Sequence, residues 1–363
     1  SSGRFTHSDH YLIWDEFVPD TRWSNRNFSV LRRLDLESGE CLFLGNKTRY
    51  YSPSFSEDGN RIVAVEQSTA QEYSLVILDK DGQTLDSLSK GASGFVVAAQ
   101  TPFYGESGGQ VGDLGFIVGP KGTAQVTNTL KPAASLTVQD VTLQEGTLAV
   151  GEDISLEVDE ENRLATARNH TTTHLLQAAL QKVLGDHVKQ SGSLVGPDRL
   201  RFDFTHITAM THEEVAQVEA EVNKAILADI GLEVEHMEYQ DAVAKGAMAL
   251  FGEKYEDTVR VVNVPEVSVE LCGGTHLSAT GQAGPFMILS ESGVAAGVRR
   301  IEGATGYNAL EVLNSKRHEL DSIAGLLKSK SPKPGDVEAK VKSLRKEIKK
   351  LNKEMEKLAT QAA

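Results

Sequence analysis

The sequence predicts a multidomain α+β protein. It reads as an all-β segment over residues 1–92, a second β-rich segment suited to a small β-barrel or a strongly curved sheet over 93–160, an α+β core over 161–306 and C-terminal coiled-coil helices over 307–363. Three observations predict this order. Short alternations of apolar and polar residues, broken by turn signals, fill the first 160 positions. From Glu160 the pattern mixes helical and strand periods. From Val337 a heptad seam takes over.

In the first segment FSVLRRLDL (28–36), ECLFLG (40–45), RIVAVEQ (61–67) and YSLVILDKDG (73–82) read as strands, punctuated by SGE, EDGN and KDGQ. The stretch YYSPSFSEDGNRIVAVEQ (50–67) resembles a blade of TolB-type or WD40-like β-propellers. At ~40 residues per blade the segment holds two blades at most, so the resemblance implies a partial propeller. In the second segment FVVAAQ, LGFIVGP, AQVTNTL, LTVQDVTL and GTLAVGEDISLEV are the candidate barrel strands.

In the core, ATARNHTTTHLLQAALQKVLGDHV (165–188) carries an apolar stripe at 3/4 spacing and stops at Gly185. RLRFDFTH (199–206) alternates as a strand. THEEVAQVEAEVNKAILADI (211–230) opens with the capping-box pair Thr211 and Glu214. VRVVNVP, VELCGGTH, FMILSESG and VRRIEGATG follow as strand-like runs. The final section has a helix at about 307–328, a hinge SPKPG (331–335) and a second helix. The seam of that helix is Val337, Val341, Leu344, Ile348, Leu351, Met355 and Leu358. Three arrangements suit these helices: an antiparallel hairpin about the hinge, pairing with a second copy, or a lone solvated helix.

Composition bounds the function. The 363 residues carry a net charge of −14, which argues against general nucleic-acid binding and confines any RNA contact to a local surface. One local exception is residues 328–357, with 11 Lys or Arg against 5 Asp or Glu. Two cysteines, Cys41 and Cys272, make no disulfide framework, so a reducing cytoplasm is the expected location. No apolar run suits a membrane span, and the opening SSGRFTHSDHYLIW has no secretory pattern, so no membrane partner is expected.

The chemistry concentrates in two short motifs. HTTTH (170–174) sets two imidazoles at i and i+4, on one face of a helix. CGGTH (272–276) adds a thiolate and an imidazole across a Gly-Gly that lets the backbone turn tightly. His170, His174, Cys272 and His276 form a nitrogen and sulfur set suited to Zn²⁺. A metalloprotease is excluded, since Thr171 stands where HExxH needs its glutamate.

These motifs carry a family resemblance. HTTTHLLQAALQKVLGDHVKQSGSLVGPDRLRFDF, with CGGTH 102 residues after His170, resembles the editing core of alanyl-tRNA synthetases. TPFYGESGGQVGDLG (101–115), KGAMALFGEKY (245–255), CGGTHLSATGQAG (272–284) and ESGVAAGVRRIEGATG (291–306) resemble further segments of that family in the same order. The resemblance runs from about 95 to 306, and the terminal helices resemble the family's dimerisation stalk. It implies zinc-dependent hydrolysis of alanine tRNA mischarged with serine or glycine. No segment before residue 95 reads as an aminoacylation domain, so editing without charging is expected.

Such editing answers a physical limit. A pocket shaped for a methyl group gains only ~1–3 kcal/mol over glycine and cannot strongly reject an added hydroxyl. The resemblance implies Gln190 and Cys272 as catalytic residues. It implies Thr172, Ser191, Arg299 and Arg300 as contacts to substrate or to the acceptor end of tRNA(Ala), the arginines through phosphate. Ser193 is a further hydroxyl candidate. The glycines of ESGGQ read as a tight loop, while Glu106, Gln110 and Asp113 have no assigned role. Four protein ligands close a tetrahedron, as structural zinc sites do. The alternative is therefore a non-catalytic interaction module in which propeller blades and coiled coil bind partners and zinc staples the fold.

Overall fold

The computed structural model describes residues 5–19, 27–44, 49–55, 61–67, 73–79, 82, 87–133, 136–247 and 257–362. The turns EDGN and most of KDGQ, and most of KGAMALFGEKY, lie outside the described residues.

The N-terminal region holds two antiparallel sheets. Strands β1 (Phe5–His7), β2 (Tyr11–Pro19), β3 (Asn27–Asp35) and β4 (Cys41–Leu44) form a meander. Strands β5 (Tyr50–Phe55), β6 (Arg61–Gln67) and β7 (Tyr73–Asp79) form a second. The alternation in the sequence sends Ile13, Leu31, Leu44, Ile62, Ala64 and Leu78 into one shared small core. Two sheets on one core do not make a ring, which needs at least four blades.

The next region corrects an expectation. Strands β8 (Ser87–Ser89), β9 (Ser93–Val96), β10 (Gly115–Val118), β11 (Gly122–Ala133), β12 (Leu136–Ala149) and β13 (Ser155–Val158) form one sheet in the order β13-β10-β11-β12-β8, with β9 also on β12. Among the described residues its two ends do not pair, so it is an open curved sheet and not a closed barrel. LTVQDVTL and GTLAV are one long strand, β12. Three register shifts against β11 bend that pair, as bulges do.

The core is built on α1 (Glu160–Leu184). Asp159 caps it by accepting from Asn162 N, and Glu160 and Glu161 favour the positive end of the helix dipole. Gly185, at φ +113°, ends it. A run of threonines disfavours an isolated helix, but Thr166 to Leu180 are nearly all buried, so packing holds it. Strands β14 (Gln190–Val195) and β15 (Leu200–Thr205) follow, then α2 (His212–Leu227) with the expected capping box.

Strand β16 (Glu233–Glu238), the short α3 (Tyr239–Ala244), β17 (Thr258–Val264) and β18 (Ser268–Leu271) come next. Then β19 (Phe286–Ala295) and β20 (Val298–Thr305) complete a four-stranded sheet, β14-β15-β20-β19. Leu175, Leu176 and Leu180 of α1, Val218 and Val222 of α2, and Phe202, Phe204 and Ile301 of the sheet make the main core.

Two long helices end the chain, α4 (Gly306–Leu326) and α5 (Pro334–Ala362). The expected antiparallel hairpin does not form along their length. Buried Ala324 and Val337 mark the contact at the hinge; beyond it Leu344 is half-buried and the rest of the apolar seam of α5 is exposed, Ile348 at 57% and Leu351 at 51%.

Candidate metal centre

The middle of α1 and the turn after β18 meet at one point. One donor atom from each of His170, His174, Cys272 and His276 lies within 4.8 Å of the others. Cys272 Sγ stands 3.4 Å from His170 Nε2 and 3.2 Å from His276 Nε2. Tetrahedral zinc, with bonds near 2.0 Å to nitrogen and 2.3 Å to sulfur, separates its ligand atoms by roughly 3.3–3.6 Å. Nδ1 of His174 is buried and has no hydrogen-bond partner among the described residues. Spacing, donor set and this orphaned nitrogen all fit a zinc ion.

The local sequence explains the convergence. The i, i+4 spacing places both helix histidines on the face of α1 that packs against β18. The turn depends on Gly274, where a β-carbon would stand 2.0 Å from His170 Cε1 and 2.4 Å from its Nδ1. Arg260, on β17, donates to the carbonyls of Cys272 at 2.8 Å and Gly274 at 2.9 Å and so holds the turn closed. Thr171 Oγ1 accepts from Leu277 N at 3.1 Å and hydrogen-bonds His276 Nδ1 at 3.1 Å. His170 and His174 are buried, while Cys272 and His276 are half-buried and open the cluster to one side.

The charges are unequal. Burial opposes a charge on His174, but the Glu270 carboxylate 3.7 Å away and the Cys272 sulfur outweigh it and push the ring up to about 9. Burial, reinforced by the neighbouring His170 ring, pushes His276 down to about 3. Burial alone would raise the Cys272 thiol, but His170 and the surrounding histidine contacts hold it well below the usual thiol range. A depressed thiol is a ready metal ligand.

The other anticipated residues fall in two places. Gln190 opens β14, and its amide donates to Ser193 Oγ at 3.2 Å. A register shift between Gln190 and Gly192 leaves Ser191 outside the ladder, a local bulge. This strand touches the ESGGQ loop, since a β-carbon on Gly109 (φ +83°) would stand 2.6 Å from both Ser193 O and Ser193 Oγ. The loop in turn reaches the ligands through Gln110, whose Oε1 lies 2.6 Å from His170 Nδ1.

Arg299 and Arg300 lie on β20, each in a two-point ion pair. Arg299 donates to Glu291 at 2.6 and 2.7 Å, and Arg300 to Asp203 at 2.6 and 2.8 Å. Thr172 has no exposed surface, and its buried Oγ1 has no hydrogen-bond partner among the described residues. Asp113 is structural: its carboxylate pairs with Arg163 of α1 and accepts from Tyr104 N. Gln110, Arg260 and Glu270 surround the cluster and were not assigned a role from sequence pattern. Arg260 was visible only as one charge within the apolar alternation of β17.

The family model described as threonyl and alanyl tRNA synthetase second additional domain matches residues 259–302, and that of class II (A) tRNA synthetases matches residues 50–162. An alanine-tRNA ligase of Oleidesulfovibrio alaskensis is 58% identical over 304 residues, 84% of this chain and 34% of that protein. That of Nitratidesulfovibrio vulgaris is 49% identical over 340 residues, 92% of this chain and 38% of the relative. That of Thermotoga maritima is 47% identical over 281 residues, 76% of this chain and 32% of the relative.

The chain thus spans about a third of the length of these relatives. The class II match starts at residue 50, ahead of the 95 at which the motifs begin, and runs through β5, β6 and β7. A propeller origin for 1–92 therefore finds no support. A β-propeller domain of a Pyrococcus furiosus protease aligns at 7% identity with a TM-score of 0.22, covering 74% of this chain and 69% of that one, a likeness too low to carry an argument.

Proposed function

From a chain related over 84% of its length to a segment of alanine-tRNA ligases, we propose that residues 161–306 hydrolyse the aminoacyl ester of alanine tRNA mischarged with serine or glycine. The observation that carries this reading is the convergence of His170, His174, Cys272 and His276 beside β14 and the ESGGQ loop. Zn²⁺ held there would supply Lewis acidity toward the ester carbonyl or an attacking water.

The protein groups divide the remaining work. Cys272 and His276, on the open side, face the reacting ester. The Gln190 amide, with Ser193 as its partner, orients water or the amino acid. The Ser191 and Ser193 hydroxyls recognise the serine hydroxyl, and correctly attached alanine would leave them unpaired. Arg299 and Arg300 reach tRNA phosphate by sharing guanidinium groups already engaged by Glu291 and Asp203. The acceptor end of tRNA(Ala) is the partner, and weak, salt-sensitive binding is expected of a chain with a net charge of −14. We place this activity in the cytoplasm; among the described residues, no helix is long and apolar enough to cross a membrane.

The test is deacylation of Ser-tRNA(Ala) by the full chain. Enzyme-like hydrolysis is expected, lost when Cys272→Ala and Gln190→His are combined. Equal rates in the two proteins would remove the proposal. A non-catalytic module with structural zinc is the second reading. It is favoured by the four protein ligands, which leave no open position. Under that reading the double variant changes zinc content and stability but no rate. For the stalk, we propose that the exposed seam of α5 pairs with the same seam of a second copy.

A further inference from the structure

Gln110 lies in the ESGGQ loop and is fully buried. Its amide joins two segments that lie 60 and 165 positions away in sequence. Oε1 accepts the backbone N–H of Thr275 at 2.9 Å and lies 2.6 Å from His170 Nδ1. Nε2 donates to Thr275 Oγ1 at 2.9 Å. The loop itself is clamped to β14, with Val195 N donating to Gly109 O at 2.8 Å and Val111 N to Val195 O at 3.0 Å.

The chemistry of these contacts fixes a proton. A backbone N–H can only donate, so the atom it meets is the amide oxygen, and the orientation of the Gln110 amide is determined. An amide oxygen can only accept. Nδ1 of His170 therefore carries the hydrogen, and its Nε2 keeps the lone pair. Nε2 is the atom 3.4 Å from Cys272 Sγ.

We propose that Gln110 is a positioning residue for the metal centre. It sets the His170 tautomer, aims Nε2 at the ion shared with Cys272, and through Thr275 ties the CGGTH turn to the same point. Because one side chain holds both ligand segments, docking of loop 105–111 on the core and metal occupancy are linked. This rests on the four-residue cluster being a metal site. Partners of this kind orient ligating imidazoles, and their loss weakens metal binding by about 10–100-fold.

The experiment compares zinc affinity, by chelator competition, in the full chain and in Gln110→Leu, Gln110→Glu and Gln110→Asn. Gln110→Leu is expected to bind about 10–100-fold more weakly. Gln110→Glu is expected to recover most of the loss, since a carboxylate accepts from both His170 and Thr275. Gln110→Asn, one methylene short, is expected to fall between them, and it serves if the leucine variant does not fold. Zinc is expected to slow amide exchange of residues 105–111 in the parent chain and in Gln110→Glu, but not in Gln110→Leu. Equal affinity in all four proteins, or equal weakening by Glu and Leu, overturns the positioning role. Absence of stoichiometric zinc in the parent chain instead overturns the metal reading beneath it.

Discussion

Gly274 lies against the imidazole of His170, so close that a β-carbon on the glycine would stand 2.0 Å from Cε1 of the ring. The neighbouring Gly273 has nothing within 4 Å of the same position. Gly274→Ala is therefore expected to displace His170 and lower zinc affinity at least about tenfold, the scale of lost ligand orientation. Gly273→Ala is expected to bind as the parent does. Chelator competition on the pair decides it, and equal affinities would show that the ring is not held against the turn.

Zinc uptake at about pH 7 is expected to expel a proton from His174. Its pKa of about 9 lies above that pH, so the ring is protonated until the metal enters. Cys272, held well below its usual range, contributes little. The sign follows: release is present below about 9 and fades as pH rises through it. Titration calorimetry in buffers of different ionisation heat measures the count. An unchanged count between about pH 7 and pH 10 would contradict this assignment.

Phe202 is fully buried in the core beneath α1 and α2. Phe202→Ala is expected to cost about 3–5 kcal/mol of folding stability. Urea unfolding at saturating zinc checks it, and a loss below about 1 kcal/mol would mean the core refills the cavity.

Leu351 and Ile348 sit on the exposed seam of α5. If that seam pairs two copies, Leu351→Lys is expected to shift sedimentation from dimer to monomer without altering zinc content. A monomeric parent chain would end the pairing proposal.

Legibility in the sequence tracked how far each signal reaches along the chain. The capping box at Thr211 and Glu214, the stop at Gly185 and strand β6 are local signals, and the structure has them where the pattern puts them. Strand β14 was not legible, because Ser191 and Gly192 at its bulge break the alternation. Strand β16 was hidden too, since Glu233, Glu235 and Glu238 leave it almost no apolar face. The alternation over 93–160 suited a small barrel and a strongly curved sheet equally, because strand patterns do not reveal whether the two ends of a sheet will meet. In the candidate site, residue type and spacing pointed to the four residues that the fold brings together. Gln110 and Arg260 were silent because hydrogen bonds across 165 and 14 positions leave no periodic trace.

The donors of the metal centre also reach the world at different times. Cys272 follows His170 by 102 positions. At a synthesis rate of about 5–20 residues per second, that is a delay of roughly 5–20 s. Throughout that interval the nascent helix carries two imidazoles and no sulfur, half of the four-donor set. An ion held by all four residues would therefore have to bind after the CGGTH turn has left the ribosome and folded back, late in the maturation of the chain.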